Sequence, residues 1–172
     1  MQPEQIPATT SNINSAIALQ MLQEGKPRQD ILAFLIDKAE EIAGEGCVSS
    51  ILVLDNEGLL RNGSSPHLPY DYLNAIDGLK PHPFLGTCAS AAATGNMVVT
   101  LDFKTDNKWA ELRHLPLSLG FVGAWSMPIK TNEGKVLGTF GTYYRESREP
   151  SEKEVAVISE LANVAAQVLE KA

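Results

Sequence analysis

The segment from Gly120 to Glu154 limits the folds open to this chain more than any other stretch. Residues Ala124 to Lys130 and Val136 to Tyr144 are rich in side chains that suit a pleated sheet, and both runs predict strands. The intervening Asn132-Glu133-Gly134 predicts a tight turn, with Gly134 at a position that needs positive φ. The segment therefore predicts a hairpin of two antiparallel strands near the end of the sequence.

A helix is predicted soon after this hairpin. Ser151 and Glu154 have the spacing of a capping box, with Ser at the N-cap and Glu at N3. The helix from Glu152 to Ala172 then repeats apolar residues three and four positions apart: Ile158, Leu161, Ala162, Ala165, Val168 and Leu169. Neither face of the preceding strands is charged before Lys130, so both faces of the sheet are expected to be covered. The pattern predicts an α+β fold with a central antiparallel sheet.

Composition excludes several functional classes. The 172 residues suffice for one well-cored domain, and a net charge of −7 without a basic run argues against nucleic acid or anionic membranes as partners. No apolar run approaches the ~20 residues of a membrane span, and the N-terminus lacks the features of a secretion signal. Two cysteines, Cys47 and Cys88, form neither a disulfide framework nor a metal pattern. The chain is expected to be cytoplasmic.

The first 110 residues predict alternating helices and strands. Residues 1–26 are predicted to be a tail, disordered to about residue 10, with a short helix, and residues 27–172 the main domain with its C-terminal helix. Further helices are predicted at Pro27–Ala43, Tyr70–Ile76 and Gly86–Gly95, the last made of small residues. Strands are predicted at Cys47–Leu54, with a partner from Leu59 after a second Asn-Glu-Gly turn, and at Val98–Phe103, an inner strand. Asp106 is predicted to cap a helix that begins near Lys108-Trp109 and continues irregularly past Pro116 to Gly120.

Four motifs in order resemble the GAF domain, a small-molecule-sensing module of signalling proteins. They are Gly86 to Ala92, Asp102 to Trp109, Trp125 to Ile129, and Gly134 to Phe140 followed by Tyr143-Tyr144. The resemblance covers about Pro27 to Leu169, most of the chain. It implies a GAF-like, PAS-related fold, in which a central antiparallel sheet has terminal helices on one face and pocket-forming helices and loops on the other.

The resemblance also implies a ligand cavity between the sheet and the segment from Phe84 to Phe121. The residues expected to contact a ligand are Phe84, Cys88, Phe121, Trp125, Met127, Thr139 and Tyr143. Trp125 and Tyr143 lie on adjacent predicted strands, and each carries a polar tip that suits an amphipathic pocket. The alternative is that these aromatic residues fill an ordinary core. The sequence names neither a ligand nor a cofactor.

Cys88 has two interpretations. At the start of the small-residue helix its pKa would be lowered, which favours a redox-sensing thiol. A buried free cysteine also behaves as a small hydrophobe, so packing against the sheet is the interpretation we favour. Cys47, which opens an apolar strand, is interpreted as structural.

The chain is expected to be non-catalytic. A GAF relative, the free methionine-(R)-sulfoxide reductase, uses several cysteines, and Cys88 matches one of its positions. The segment from Val98 to Met127, where the catalytic thiol of that enzyme should lie, contains no cysteine. No nucleotide-hydrolysis motif, dinucleotide-binding motif or nucleophile–base constellation is present.

The sequence argues against bilins, cyclic nucleotides and metal ions as ligands. Arg113-His114 stands where bilin-binding GAF domains carry Cys-His, so a thioether cannot form. Asn107-Lys108 is not followed by the remainder of the cyclic-nucleotide motif. His67, His82 and His114 stand apart without a second ligand at metal spacing, and we interpret them as surface residues.

These observations predict a sensory GAF domain of a cytoplasmic signalling protein. It would bind an unidentified small molecule and pass the signal through its terminal helices, which pair in a homodimer, to a kinase or cyclic-di-nucleotide output domain. The rival hypothesis is a ligandless dimerisation or spacer domain. A cavity with convergent polar groups would favour sensing, whereas tight packing by Trp125, Met127 and Tyr143 would favour the spacer.

Overall fold

A five-stranded antiparallel sheet with strand order β2-β1-β5-β4-β3 lies at the centre of the protein. The structure is a computed structural model that describes residues 10–171, with side chains described from residue 13. The helices are α1 (Thr10–Gln23), α2 (Arg28–Ala43), α3 (Tyr70–Ile76), α4 (Cys88–Thr94), a 3-10 turn (Asn107–Trp109), α5 (His114–Ser118) and α6 (Glu152–Glu170). The strands are β1 (Val48–Leu54), β2 (Leu60–Ser64), β3 (Val98–Thr100), β4 (Gly123–Lys130) and β5 (Val136–Tyr144).

The two Asn-Glu-Gly segments make the two predicted hairpin turns. Gly58 has φ of 79° and Gly134 has φ of 89°, a region that residues with a Cβ rarely enter. The Gly58 amide donates to the Asp55 carbonyl at 3.0 Å, and the Gly134 amide donates to the Thr131 carbonyl at 2.9 Å. The turns fix the pairing of β1 with β2 and of β4 with β5, as the sequence predicted.

Each face of the sheet is covered by a different set of helices. Helices α2 and α6 pack on one face, and α1 packs on α2 and α6. The sheet contributes Ile51, Trp125, Ile129, Phe140 and Tyr144 to the hydrophobic core on this face. We call this core the helix-side core. Helices α3, α4 and α5 and the 3-10 turn cover the other face. The predicted capping box of α6 is present, with the Ser151 and Glu154 side chains bonded to each other's backbone amides.

Some predicted elements differ from the structure. The inner strand expected at Val98–Phe103 is a three-residue edge strand, because the chain turns away at Asp102, whose carboxylate accepts the Lys104 amide at 2.8 Å. Asp106 caps as predicted, but the element that it caps is a short 3-10 turn, and α5 is a separate helix rather than its irregular continuation. Most of the tail predicted to be disordered lies outside the described residues. Within residues 10–171 no helix is long and apolar enough to cross a membrane.

Candidate functional site

Uncharged polar side chains line the sheet face beneath α3 and α4. Alternation along β5 puts Thr139, Gly141 and Tyr143 on this face, and the strand register places Ser126 and Ser50 on either side of Gly141. We call the polar side chains of this region the polar layer: Ser50, Ser65, Tyr72, Cys88, Ser126, Thr139 and Tyr143. Six of the seven residues are buried, and Cys88 is partly exposed.

Two pairs of hydroxyls within the polar layer join the sheet to the loop and the helix above it. The Tyr72 and Tyr143 hydroxyls are hydrogen-bonded at 2.7 Å. The Ser50 hydroxyl donates to Ser65 Oγ at 2.6 Å, since the Ser65 hydroxyl donates in turn to Asn62 Oδ1. Burial raises the pKa of both tyrosines, so each phenol stays neutral at physiological pH. These bonds hold α3 and the Ser65 loop against the sheet.

Cys88 packs its thiol directly on the sheet. Its Sγ accepts a hydrogen bond from Ser126 Oγ at 3.5 Å. A Cβ placed on Gly141 would lie 3.1 Å from the same sulfur, so glycine allows the close approach of α4 to β5. Burial raises the pKa of the Cys88 thiol, which is the opposite of the lowering that a redox-sensing thiol requires. The geometry agrees with the packing interpretation.

Thr139 is an unsatisfied member of the polar layer. Its side chain is fully buried, and its hydroxyl has no hydrogen-bond partner of ordinary geometry among the described residues. The hydroxyl is close enough to the Cys88 thiol to act to lower the pKa of that thiol, against the larger effect of burial, but this contact lacks the geometry of a hydrogen bond. An unpaired buried hydroxyl costs about 1–3 kcal/mol, so its presence here calls for an explanation.

A second run of hydroxyls lies beside the polar layer and is fully paired. Trp109 Nε1 donates to Thr87 Oγ1 at 2.8 Å, and the Thr87 and Thr100 hydroxyls are hydrogen-bonded at 2.8 Å. The Phe103 and Trp109 rings meet edge to face with centroids 4.6 Å apart. Both rings are buried and belong to the hydrophobic core on this face of the sheet.

The structure separates the aromatic residues that the sequence grouped together. Trp125 pairs with Thr142 rather than Tyr143 across the strands, so its buried ring belongs to the helix-side core. Met127 also packs against the helix-side core. The expectation that Trp125 and Met127 line the same pocket as Tyr143 is therefore wrong. Tyr143 is next to Thr142 on β5, and successive residues of a strand project to opposite faces.

The remaining expected contacts fall in two places. Phe121 is buried with its ring centroid 5.2 Å from that of Tyr143, beside the polar layer that holds Cys88 and Thr139. Phe84 is 74% exposed, on the loop before α4, and lies outside this layer. Whether Phe121, Cys88, Thr139 and Tyr143 contact a ligand stays a prediction.

Sequence reasoning missed four members of the polar layer, which are Ser50, Ser65, Tyr72 and Ser126. The alternation of β4 placed Ser126 on the face opposite Trp125, and that was a usable signal. Ser65 and Tyr72 reach the layer through a loop and a short helix, so their place depends on tertiary contacts that no local pattern encodes. Among residues 10–171, no group of three His, Cys, Asp or Glu side chains is arranged to hold a metal ion.

The sequence profile of the GAF domain matches residues 25–170. The chain belongs to the GAF domain family. It is also 32% identical over 153 residues to a methyl sulfide methyltransferase-associated sensor of Methanosarcina acetivorans. That alignment covers 88% of this chain and 15% of the sensor, so the GAF domain spans a small part of the sensor's length.

Solved structures show the same fold at low identity. The GAF domain of a phosphoenolpyruvate-protein phosphotransferase from Coxiella burnetii superposes with a TM-score of 0.75 at 16% identity, covering 96% of this chain and 95% of that one. A free methionine-R-sulfoxide reductase from Neisseria meningitidis, solved with its substrate, gives 0.68 at 16% identity, covering 94% and 86%. The same fold thus occurs in a domain of a phosphotransferase and in a reductase, and function has to be argued from the site.

Proposed function

We propose that this chain is a non-catalytic sensory GAF domain that binds a small uncharged molecule in the polar layer. The observation that carries the proposal is the Thr139 hydroxyl, which is fully buried and unpartnered among the described residues. A ligand group that hydrogen-bonds to it would remove the cost of leaving it unpaired. None of the seven members of the polar layer is charged at neutral pH, so a charged ligand would lose its hydration without gaining a counter-charge.

The signal would leave through the terminal helices. Helix α6 packs on the opposite face of the same sheet, and α1 packs on α6 with 49% of Ile13 and 43% of Ile17 exposed. We expect these helices to pair in a homodimer and to lead to a cytoplasmic kinase or cyclic-di-nucleotide output domain. Ligand binding would favour one packing of α3 and α4, and the terminal helices would follow as a population shift.

Two observations support a role without catalysis. The pKa of Cys88 is raised, so its thiol is a poor nucleophile at neutral pH. The segment from Val98 to Met127 also holds no second cysteine with which Cys88 could form a catalytic pair. The likeness to the reductases is one of fold.

A ligandless structural domain is the second candidate. It is favoured by the Tyr72–Tyr143 hydrogen bond and by the close approach of Cys88 to Gly141, which hold α3 and α4 against the sheet. In this case the Thr139 hydroxyl would be satisfied by a buried water molecule.

Native mass spectrometry of the freshly purified protein distinguishes the two candidates. The sensor predicts an added mass of a neutral small molecule in the wild type. The added mass should persist in Thr142→Val, which alters the helix-side face of β5, and should be lost in the double variant Ser126→Ala/Thr139→Val. A bare protein mass in the wild type, or an adduct that all variants retain equally, would favour the ligandless domain.

A further inference from the structure

Two consecutive tyrosines at the end of β5 face opposite sides of the sheet. Tyr143 lies in the polar layer and is hydrogen-bonded to Tyr72 at 2.7 Å. Tyr144 points toward the terminal helices, where its hydroxyl donates to Glu154 Oε2 at 2.5 Å. Glu154 is the N3 residue of α6 and is only 5% exposed. One strand end therefore touches both the proposed ligand layer and the first turn of the C-terminal helix.

Arg148 fastens the same helix turn to two further elements. Its Nη1 donates to Glu154 Oε1 at 2.6 Å, and its Nη2 donates to the carbonyl of Ala43 at the end of α2 at 3.1 Å. Its guanidinium also lies 3.8 Å from the centre of the Tyr144 ring, within cation–π range. The ends of α2 and β5 and the start of α6 are thus held by one arginine and one carboxylate.

The charges of this cluster make its hydrogen bonds strong. Burial acts to raise the pKa of Glu154, but hydrogen bonds from Arg148 and Tyr144 outweigh it and hold the pKa below its usual range. Burial, together with the neighbouring Glu154 carboxylate, raises the pKa of Tyr144. At neutral pH a carboxylate therefore accepts from a cation and a neutral phenol, which are short, charge-assisted bonds.

We propose that Tyr144, Glu154 and Arg148 form a relay that couples the polar layer to the first turn of α6. Successive residues of a strand share one backbone and project to opposite faces, so a displaced Tyr143 ring turns the peptide that carries Tyr144. The Tyr144 hydroxyl then shifts against Glu154, which also holds the Ser151 amide at the helix N-cap. The three act as positioning residues. The inference rests on the proposed function for the ligand that would displace Tyr143, whereas the coupling between the side chains does not depend on it.

Hydrogen–deuterium exchange of the full chain without added ligand tests this relay. Tyr72→Phe removes the hydroxyl that holds Tyr143, and it should speed exchange in the peptide 151–160 by about tenfold. The same substitution in a Tyr144→Phe background should add little, because the relay is already broken. Tyr70→Phe is the matched control. Because Tyr70 is 78% exposed, this substitution should leave the exchange rate of peptide 151–160 unchanged.

The relay would be overturned if Tyr72→Phe changed the exchange rate equally in the wild-type and Tyr144→Phe backgrounds. It would also be overturned if Tyr72→Phe left the exchange rate of peptide 151–160 unchanged. Tyr143→Phe removes the same hydrogen bond from the strand side and should repeat the result if Tyr72→Phe does not fold. Because this experiment compares deletions of single hydroxyls and adds no ligand, a negative mass-spectrometry result would contradict the proposed function and leave the test of the relay unaffected.

Discussion

Each face of the sheet buries a threonine hydroxyl of β5, but only one of the two hydroxyls is paired within residues 10–171. On the helix side, β5 contributes Phe140 and Tyr144 to an apolar core, and the buried Thr142 hydroxyl there is paired with Ser49 Oγ at 3.0 Å. On the other side, β5 contributes Thr139 to the polar layer, where the same chemical group has no partner among the described residues. The difference therefore concerns two threonines of one strand, one paired and one not, since the helix-side core also holds a buried donor, Trp125 Nε1, that is unpaired in the described part of the chain.

The largest expected effect is on the helix-side core. Leu161 of α6 is fully buried there, so Leu161→Ala should lower the free energy of unfolding by about 3 kcal/mol through lost burial and a residual cavity. Urea unfolding followed by circular dichroism measures it. The control Leu101→Ala changes a residue that is 45% exposed and should cost less than about 1 kcal/mol. Similar costs for both variants would contradict a rigid core on this face.

An intermediate effect is expected where α6 meets β5. Glu154→Gln weakens the hydrogen bonds from Arg148 and Tyr144, and it should cost about 2 kcal/mol at pH 7. Because the folded pKa of Glu154 is lowered, its stabilisation is present above the ordinary carboxyl pKa of about 4.3 and is lost as pH falls through the folded value. The gap between wild type and Glu154→Gln should therefore narrow below about pH 4.

Urea unfolding of both proteins from pH 7 down to pH 3 measures this gap. Glu152→Gln is the control, because Glu152 is an exposed residue of the same helix turn. A constant gap across the pH range would show that Glu154 is not the titrating group.

The smallest effects give the most direct comparison of the two faces, because both substitutions replace a threonine of β5 by valine. Thr142→Val breaks the bond to Ser49 and should cost about 1 kcal/mol. Thr139→Val replaces an unpaired buried hydroxyl by a methyl group, so it should be neutral or stabilise by up to about 1 kcal/mol. Chemical unfolding measures both variants. A clear loss of stability in Thr139→Val would mean that its hydroxyl is already satisfied inside the protein.

The sequence predicted the parts of the fold that local chemistry determines. The bounds of β5, the two glycine turns and the capping box at Ser151 follow from strand propensity, positive φ and N-cap preference, all of which act within a few residues. The edge position of β3 could not be predicted, because strand order depends on contacts between distant segments.

The candidate site was predicted only in part for the same reason. Thr139, Cys88 and Tyr143 were expected near one another and lie on one face, but Trp125 was assigned to that face without the register of β4 on β5. When the pairing of two strands shifts by one residue, each side chain of the shifted strand moves to the other face of the sheet. The contribution of Tyr72 depends on where α3 packs, and no local pattern in the sequence encodes that.

Threonine methyl NMR is the most direct test of a ligand site in the polar layer. Protein labelled at its threonine methyl groups would be screened with small uncharged polar fragments, alongside carboxylate and amine fragments of similar size. Binding in the polar layer predicts that uncharged fragments shift the Thr139 methyl signal and leave that of Thr142 unchanged. Equal shifts of both signals, a preference for charged fragments, or no shift of Thr139 with any fragment would contradict it.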